Sequence, residues 1–76
     1  MDRALWEEHL TLAETHVAQG ERVVARQHEI IAELARGGHD TASAVDLLAS
    51  FQELLTLHKR DRDRLRAELG AAQAER

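Results

Sequence analysis

The sequence predicts an all-α protein: an antiparallel two-helix hairpin that dimerises into a four-helix bundle. Three observations support this prediction. Ala, Leu, Glu and Arg, which are strong helix formers, dominate a chain that contains no proline. Apolar residues recur in steps of three, four and seven, which is the helical period. The pattern breaks once, at Gly37 and Gly38, and so short a connection makes the helices antiparallel neighbours. Residues 1–76 are therefore expected to form one domain.

The first helix is predicted over about residues 2–36. Asp2 is a suitable N-cap, and the acidic residues of the early turns suit the positive end of the helix dipole. The stripe ends before Arg36, and one of the next two glycines is expected to adopt the left-handed conformation that closes a helix. The apolar stripe consists of Leu10, Ala13, Val17, Gly20, Val23, Val24, Ile30, Ile31 and Leu34.

The second helix is predicted over about residues 41–72, after a turn at 37–40. Asp40 or Thr41 can cap its start. We expect its end to fray from Gly70 onward. Its apolar stripe consists of Ala44, Leu47, Leu48, Phe51, Leu54, Leu55, Leu65 and Leu69.

Each stripe covers three heptad positions, which is wider than the seam between two helices. A chain of 76 residues also buries only about 60% of its unfolded surface by itself. Homodimerisation is the simplest solution, because one face then serves both copies. A helix from a different protein is the alternative partner. The residues expected in the core or interface are Leu10, Val17, Val24, Ile31, Leu48, Phe51 and Leu55.

In such a hairpin a residue lies opposite roughly the position 77 minus its own number. His16 and His58 interrupt the apolar stripes and fall within about one helical turn of each other. One interpretation is a buried polar network in which His16 bonds Asp61. Another is a metal or haem site in the bundle core, and a third is a pH-responsive cluster. Gln27 is expected to pair with Ser50.

Known catalytic and metal-binding patterns fail on this sequence. There is no cysteine, and no acidic residue stands three positions before any histidine, as di-iron bundles require. His28 opens a His-Glu-x-x-His pattern, but Ala32 occupies its last position. One hairpin also cannot enclose a substrate pocket. We therefore expect no enzymatic activity and no cofactor.

The net charge of −4 and the scarcity of aromatic residues make nucleic acid an unlikely partner. The basic stretch 59–66 falls opposite acidic residues early in the first helix, which favours a solvated, self-complementing surface. A phosphate-binding patch, and with it a nucleic-acid accessory role, is the other interpretation. No apolar run reaches the roughly 20 residues that span a bilayer, and the first ten residues are unlike a signal peptide. We expect a cytoplasmic protein.

Three segments carry a resemblance to other sequences: HVAQGERVVARQ at 16–27, GHDTA at 38–42 and LLASFQELLTLH at 47–58. With them the chain resembles a group of short bacterial helical-hairpin proteins that are hypothetical proteins of unknown function. The resemblance implies a natural hairpin and assigns no catalytic residue. The function expected from the sequence is a non-enzymatic interaction or regulatory module.

Overall fold

The computed structural model describes the backbone of residues 2–74, which forms two long helices. Helix α1 spans Arg3–Arg36 and helix α2 spans Ala42–Ala74. They pack along their whole length as a rod with extents of 60 × 14 × 14 Å. The predicted all-α hairpin is thereby confirmed.

The second helix was predicted to about residue 72, with fraying from Gly70 onward. Helix α2 continues through Gly70 to Ala74, two residues beyond the predicted end. The reason is that alanine, the strongest helix former, dominates the residues after this glycine and outweighs its cost. The rest of the expected tail, residues 75–76, lies outside the described residues.

Side-chain caps start both helices, as the sequence predicted. The carboxylate of Asp2 accepts a 2.9 Å hydrogen bond from the backbone N–H of Ala4. Asp40 accepts an equivalent 2.9 Å bond from the N–H of Ala42. Of the two candidates for the second cap, Asp40 thus supplies the side-chain oxygen. Each bond satisfies one of the N–H groups that the first turn of a helix leaves without a partner.

A Schellman motif ends α1. Gly38 has a φ of 72°, whereas Gly37 has a right-handed φ of −81°. The N–H of His39 donates to the carbonyl of Leu34 at 2.9 Å, and the N–H of Gly38 donates to that of Ala35 at 3.1 Å. This pair of bonds defines the motif. Of the two glycines that the sequence offered, Gly38 is therefore the left-handed one.

The core of the hairpin is thin and lies between the helices. Ala13, Val17, Leu65 and Leu69 are its buried apolar residues among the described side chains. Of the seven residues expected in the core or interface, Val17 is buried and the other six are half-buried. A pair of helices leaves much of a three-position stripe open to water.

Gln27 is the buried polar residue of the seam, with 5% of its surface exposed. Its amide Nε2 donates to the carbonyl of Ala44 at 2.9 Å. The predicted pairing of Gln27 with Ser50 was wrong. The Ser50 hydroxyl donates instead to the carbonyl of Asp46 in its own helix. Gln27 therefore ties the last third of α1 to the first turn of α2.

Within residues 3–36 and 42–74, neither helix is long and apolar enough to cross a membrane.

Candidate functional site

The two histidines that interrupt the apolar stripes meet across the helices. The ring centroids of His16 and His58 are 5.0 Å apart, with an interplanar angle of 48°. The hairpin rule predicted this proximity, and the structure confirms it. Both side chains are half-buried at the edge of the seam.

The buried network expected around these rings was wrong. Among the described residues neither imidazole forms a hydrogen bond. Asp61, the expected partner of His16, accepts a 2.7 Å hydrogen bond from Arg64 instead. The ring nitrogens can stay hydrated because the side chains are only half-buried, so no protein partner is required.

A shallow groove of about 200 Å³ opens beside the histidine pair. Gly20 helps to form it, because a side chain is missing there: an added Cβ would lie 2.9 Å from Cδ1 of Leu55. Pockets that enclose drug-sized ligands measure about 300–1,000 Å³, so this groove is smaller than such a pocket. The groove is lined by His16, Gln19, Gly20, Val23, Phe51, Leu54, Leu55 and His58.

A second depression, of about 150 Å³, continues this groove toward the open end of the hairpin. His16 lines both depressions, so they lie on the same side of the rod. The remaining residues of the second one are His9, Leu12, Ala13, Asp61, Arg64 and Leu65. His9 is exposed and packs edge-on against Trp6, with ring centroids 6.3 Å apart.

A single hairpin does not hold a complete metal site in its described part. No group of three or more histidine, aspartate or glutamate residues there is placed to bind one ion. His16 and His58 are therefore a pair of potential ligands without a third from the same chain. His28 and His39 are exposed elsewhere.

Large exposed apolar side chains concentrate on one long side of the rod. Leu5 and Leu12 are seven residues apart in α1, and Leu47 and Leu54 are seven apart in α2, so each pair lies on one side of its helix. Both helices turn that side toward the two depressions. We name it the apolar side. It carries six of the seven large apolar residues exposed in the described chain: Leu5, Leu12, Val23, Leu47, Leu54 and Leu57.

Half of the residues on the apolar side were predicted from the sequence. Val23, Leu47 and Leu54 belong to the stripes. Leu5, Leu12 and Leu57 were missed, because they lie outside the seam on the flank of each helix. The seven-residue spacing of Leu5 and Leu12 was a signal that could have shown it.

The opposite long side is polar, and we name it the charged side. There Arg66 of α2 donates a 3.0 Å hydrogen bond to Glu14 of α1. Val45 is the seventh exposed apolar residue. It lies on this side because two helical residues turn the chain by about 200° relative to Leu47.

Three of the four arginines in the basic stretch 59–66, Arg62, Arg64 and Arg66, pair with carboxylates. Arg62 contacts Asp63 at 2.9 Å, and Arg64 contacts both Asp61 and Glu68. The hydrogen bond that the Arg64 guanidinium donates to Asp61 raises the pKa of that guanidinium. Ion pairing of this kind is typical of a solvated surface and leaves less charge free for phosphate.

The sequence matches no protein-family model, and no curated protein or solved structure is significantly similar to it.

Proposed function

We propose that this hairpin is a non-enzymatic interaction module that forms a homodimer through its apolar side, giving a four-helix bundle. The observation that carries the proposal is the concentration of exposed large apolar residues on that side. Scattered exposed leucines are normal in monomers, whereas a continuous apolar surface marks an interaction site.

The exposed area of the chain supports a second copy as the occupant. A compact monomer of 8.6 kDa exposes about 4,700 Å². The hairpin exposes 5491 Å². The excess of about 800 Å² equals what each partner contributes to an interface of standard size.

The charges of the apolar side also favour association of identical chains. Arg26 pairs with Glu33 of the same helix at 3.4 Å, and Arg64 pairs with Asp61 at 2.7 Å. Because these two arginines are matched within their own chain, these pairs bring no unpaired positive charge to an interface between two copies.

Light scattering and thermal unfolding test the dimer. We expect the mass of two chains at micromolar concentration, and a midpoint that rises with protein concentration because association stabilises the folded state. The mass of one chain, together with a midpoint independent of concentration, would contradict the proposal.

A matched pair of variants tests which side associates. Leu47 and Val45 are 47% and 46% exposed and lie two residues apart, on opposite sides of the rod. Leu47→Glu buries a charge in the proposed interface, so we expect the dimer to weaken by at least about tenfold. Val45→Glu should leave the dimer intact. Equal effects would place the interface elsewhere.

A further inference from the structure

We propose that two copies of the hairpin share a binding site for a divalent transition-metal ion such as zinc, formed by His16 and His58 of each copy. This inference rests on the proposed dimer and names a ligand that would regulate it. Tetrahedral zinc takes four nitrogen, sulfur or oxygen ligands, and each hairpin offers two neighbouring imidazoles.

The geometry within one chain suits two ligands of the same ion. Two nitrogens bound to one tetrahedral zinc lie about 3.3 Å apart, given Zn–N distances of about 2.0–2.1 Å. Ring centroids 5.0 Å apart let one nitrogen of each imidazole reach that spacing when the rings rotate. Neither ring is held by a hydrogen bond within the described chain, so this rotation breaks none.

The position of the pair along the rod brings four histidines together in the dimer. A two-fold axis parallel to the rod places each residue level with its own copy. An axis perpendicular to the rod, through its middle, exchanges the two ends. His58 is the central residue of α2, and His16 lies about 5 Å from the centre of α1. Both arrangements therefore set the pair of one copy level with that of the other.

The surroundings favour neutral nitrogen ligands. Val23, Leu54 and Phe51 line the groove on one side of the pair, and a second copy would exclude water from them. Asp61, the carboxylate that lines the second depression together with His16, is paired with Arg64. The ion would hold two chains that burial of apolar surface already brings together, and it would make the dimer more stable when metal is present.

Calorimetric titration of the full chain with Zn²⁺, beside sedimentation in EDTA and in Zn²⁺, tests the site. We expect saturable binding of one ion per two chains and a zinc-dependent rise in the unfolding midpoint. His16→Gln and His58→Gln should each weaken binding at least about tenfold, since even outer-shell changes cost that much. His28→Gln is the matched control on an exposed histidine away from the pair, and it should bind as the unaltered chain does.

The possible failures are distinguishable. A dimer in EDTA that binds no zinc, that binds one ion per chain, or that binds equally well in both glutamine variants overturns the shared site and leaves the proposed function standing. A single-chain mass in EDTA and in Zn²⁺ overturns both. A dimer that forms only with zinc, and not in the His16→Gln variant, supports the site and makes association metal-dependent.

Discussion

In the open half of the hairpin, which comprises residues 3–19 and 58–74, apolar contacts hold the helices together. There the buried residues are Ala13, Val17, Leu65 and Leu69. In the turn half, residues 20–57, Gln27 is the buried residue, and the larger apolar side chains of the seam are half-buried. In this half the helices are joined by the turn and by the hydrogen bond from Gln27 to the carbonyl of Ala44, and the apolar side chains form no fully buried core.

The difference shows where a hairpin needs packing and where it does not. Near the turn, the covalent link keeps the helix ends close, so the entropy of bringing them together is small. At the open end no connection exists, and burial must supply the attraction. The half-buried side chains near the turn are consequently available to a second copy.

The largest effect is expected from a cavity in the open half. Leu65 is 3% exposed, so Leu65→Ala should lower the free energy of unfolding by about 2–5 kcal/mol. Val45→Ala is the control, because Val45 is 46% exposed in the same helix and lies on the charged side, outside the proposed interface. Urea unfolding at a fixed protein concentration measures both. If both substitutions lower the free energy of unfolding by similar amounts, the buried apolar residues of the open half do not hold the helices together.

The next effect concerns the polar bond of the turn half. Gln27→Ala removes the hydrogen bond to Ala44 and leaves a gap in the seam, so we expect a loss of about 1–3 kcal/mol. Gln52→Ala, at an exposed glutamine of α2, should change stability by less than about 0.5 kcal/mol. If Gln27→Ala is as mild as this control, the covalent turn alone holds this half.

The levels of residues along the rod could be predicted from the sequence, but their rotation around each helix could not. Cap positions and helical period placed His16 near His58. The partner of Gln27 was missed in level as well, because its long side chain reaches the carbonyl of Ala44, six residues before the expected Ser50, and a backbone acceptor leaves no pattern in the sequence. How far the two histidines are exposed depends on how each helix is rotated about its own axis, by less than half a turn. A stripe of three heptad positions is too wide to fix that rotation.

A smaller effect is expected from the backbone of the turn. Gly38 has a φ of 72°, and an added Cβ would meet nothing within 4 Å. The cost of Gly38→Val is thus conformational, about 1–2 kcal/mol. Gly38→Asn is the matched control, because asparagine tolerates the left-handed region. Thermal midpoints report the difference. Equal midpoints for Val and Asn would show that the Schellman motif adds little to the turn half.

The smallest effect is expected from the ion pair between Arg66 and Glu14, which links the helices in the open half on the charged side. Their side chains are 52% and 46% exposed, so solvent screens the 3.0 Å contact. Exposed pairs contribute about 0–1 kcal/mol, and Arg66→Gln should cost no more than about 0.5 kcal/mol. The loss should shrink further in high salt. Glu14→Gln with Arg66→Gln completes a double-mutant cycle that isolates the pair. A coupling comparable to the loss in Leu65→Ala would mean that charge, and not apolar burial, holds the open half together.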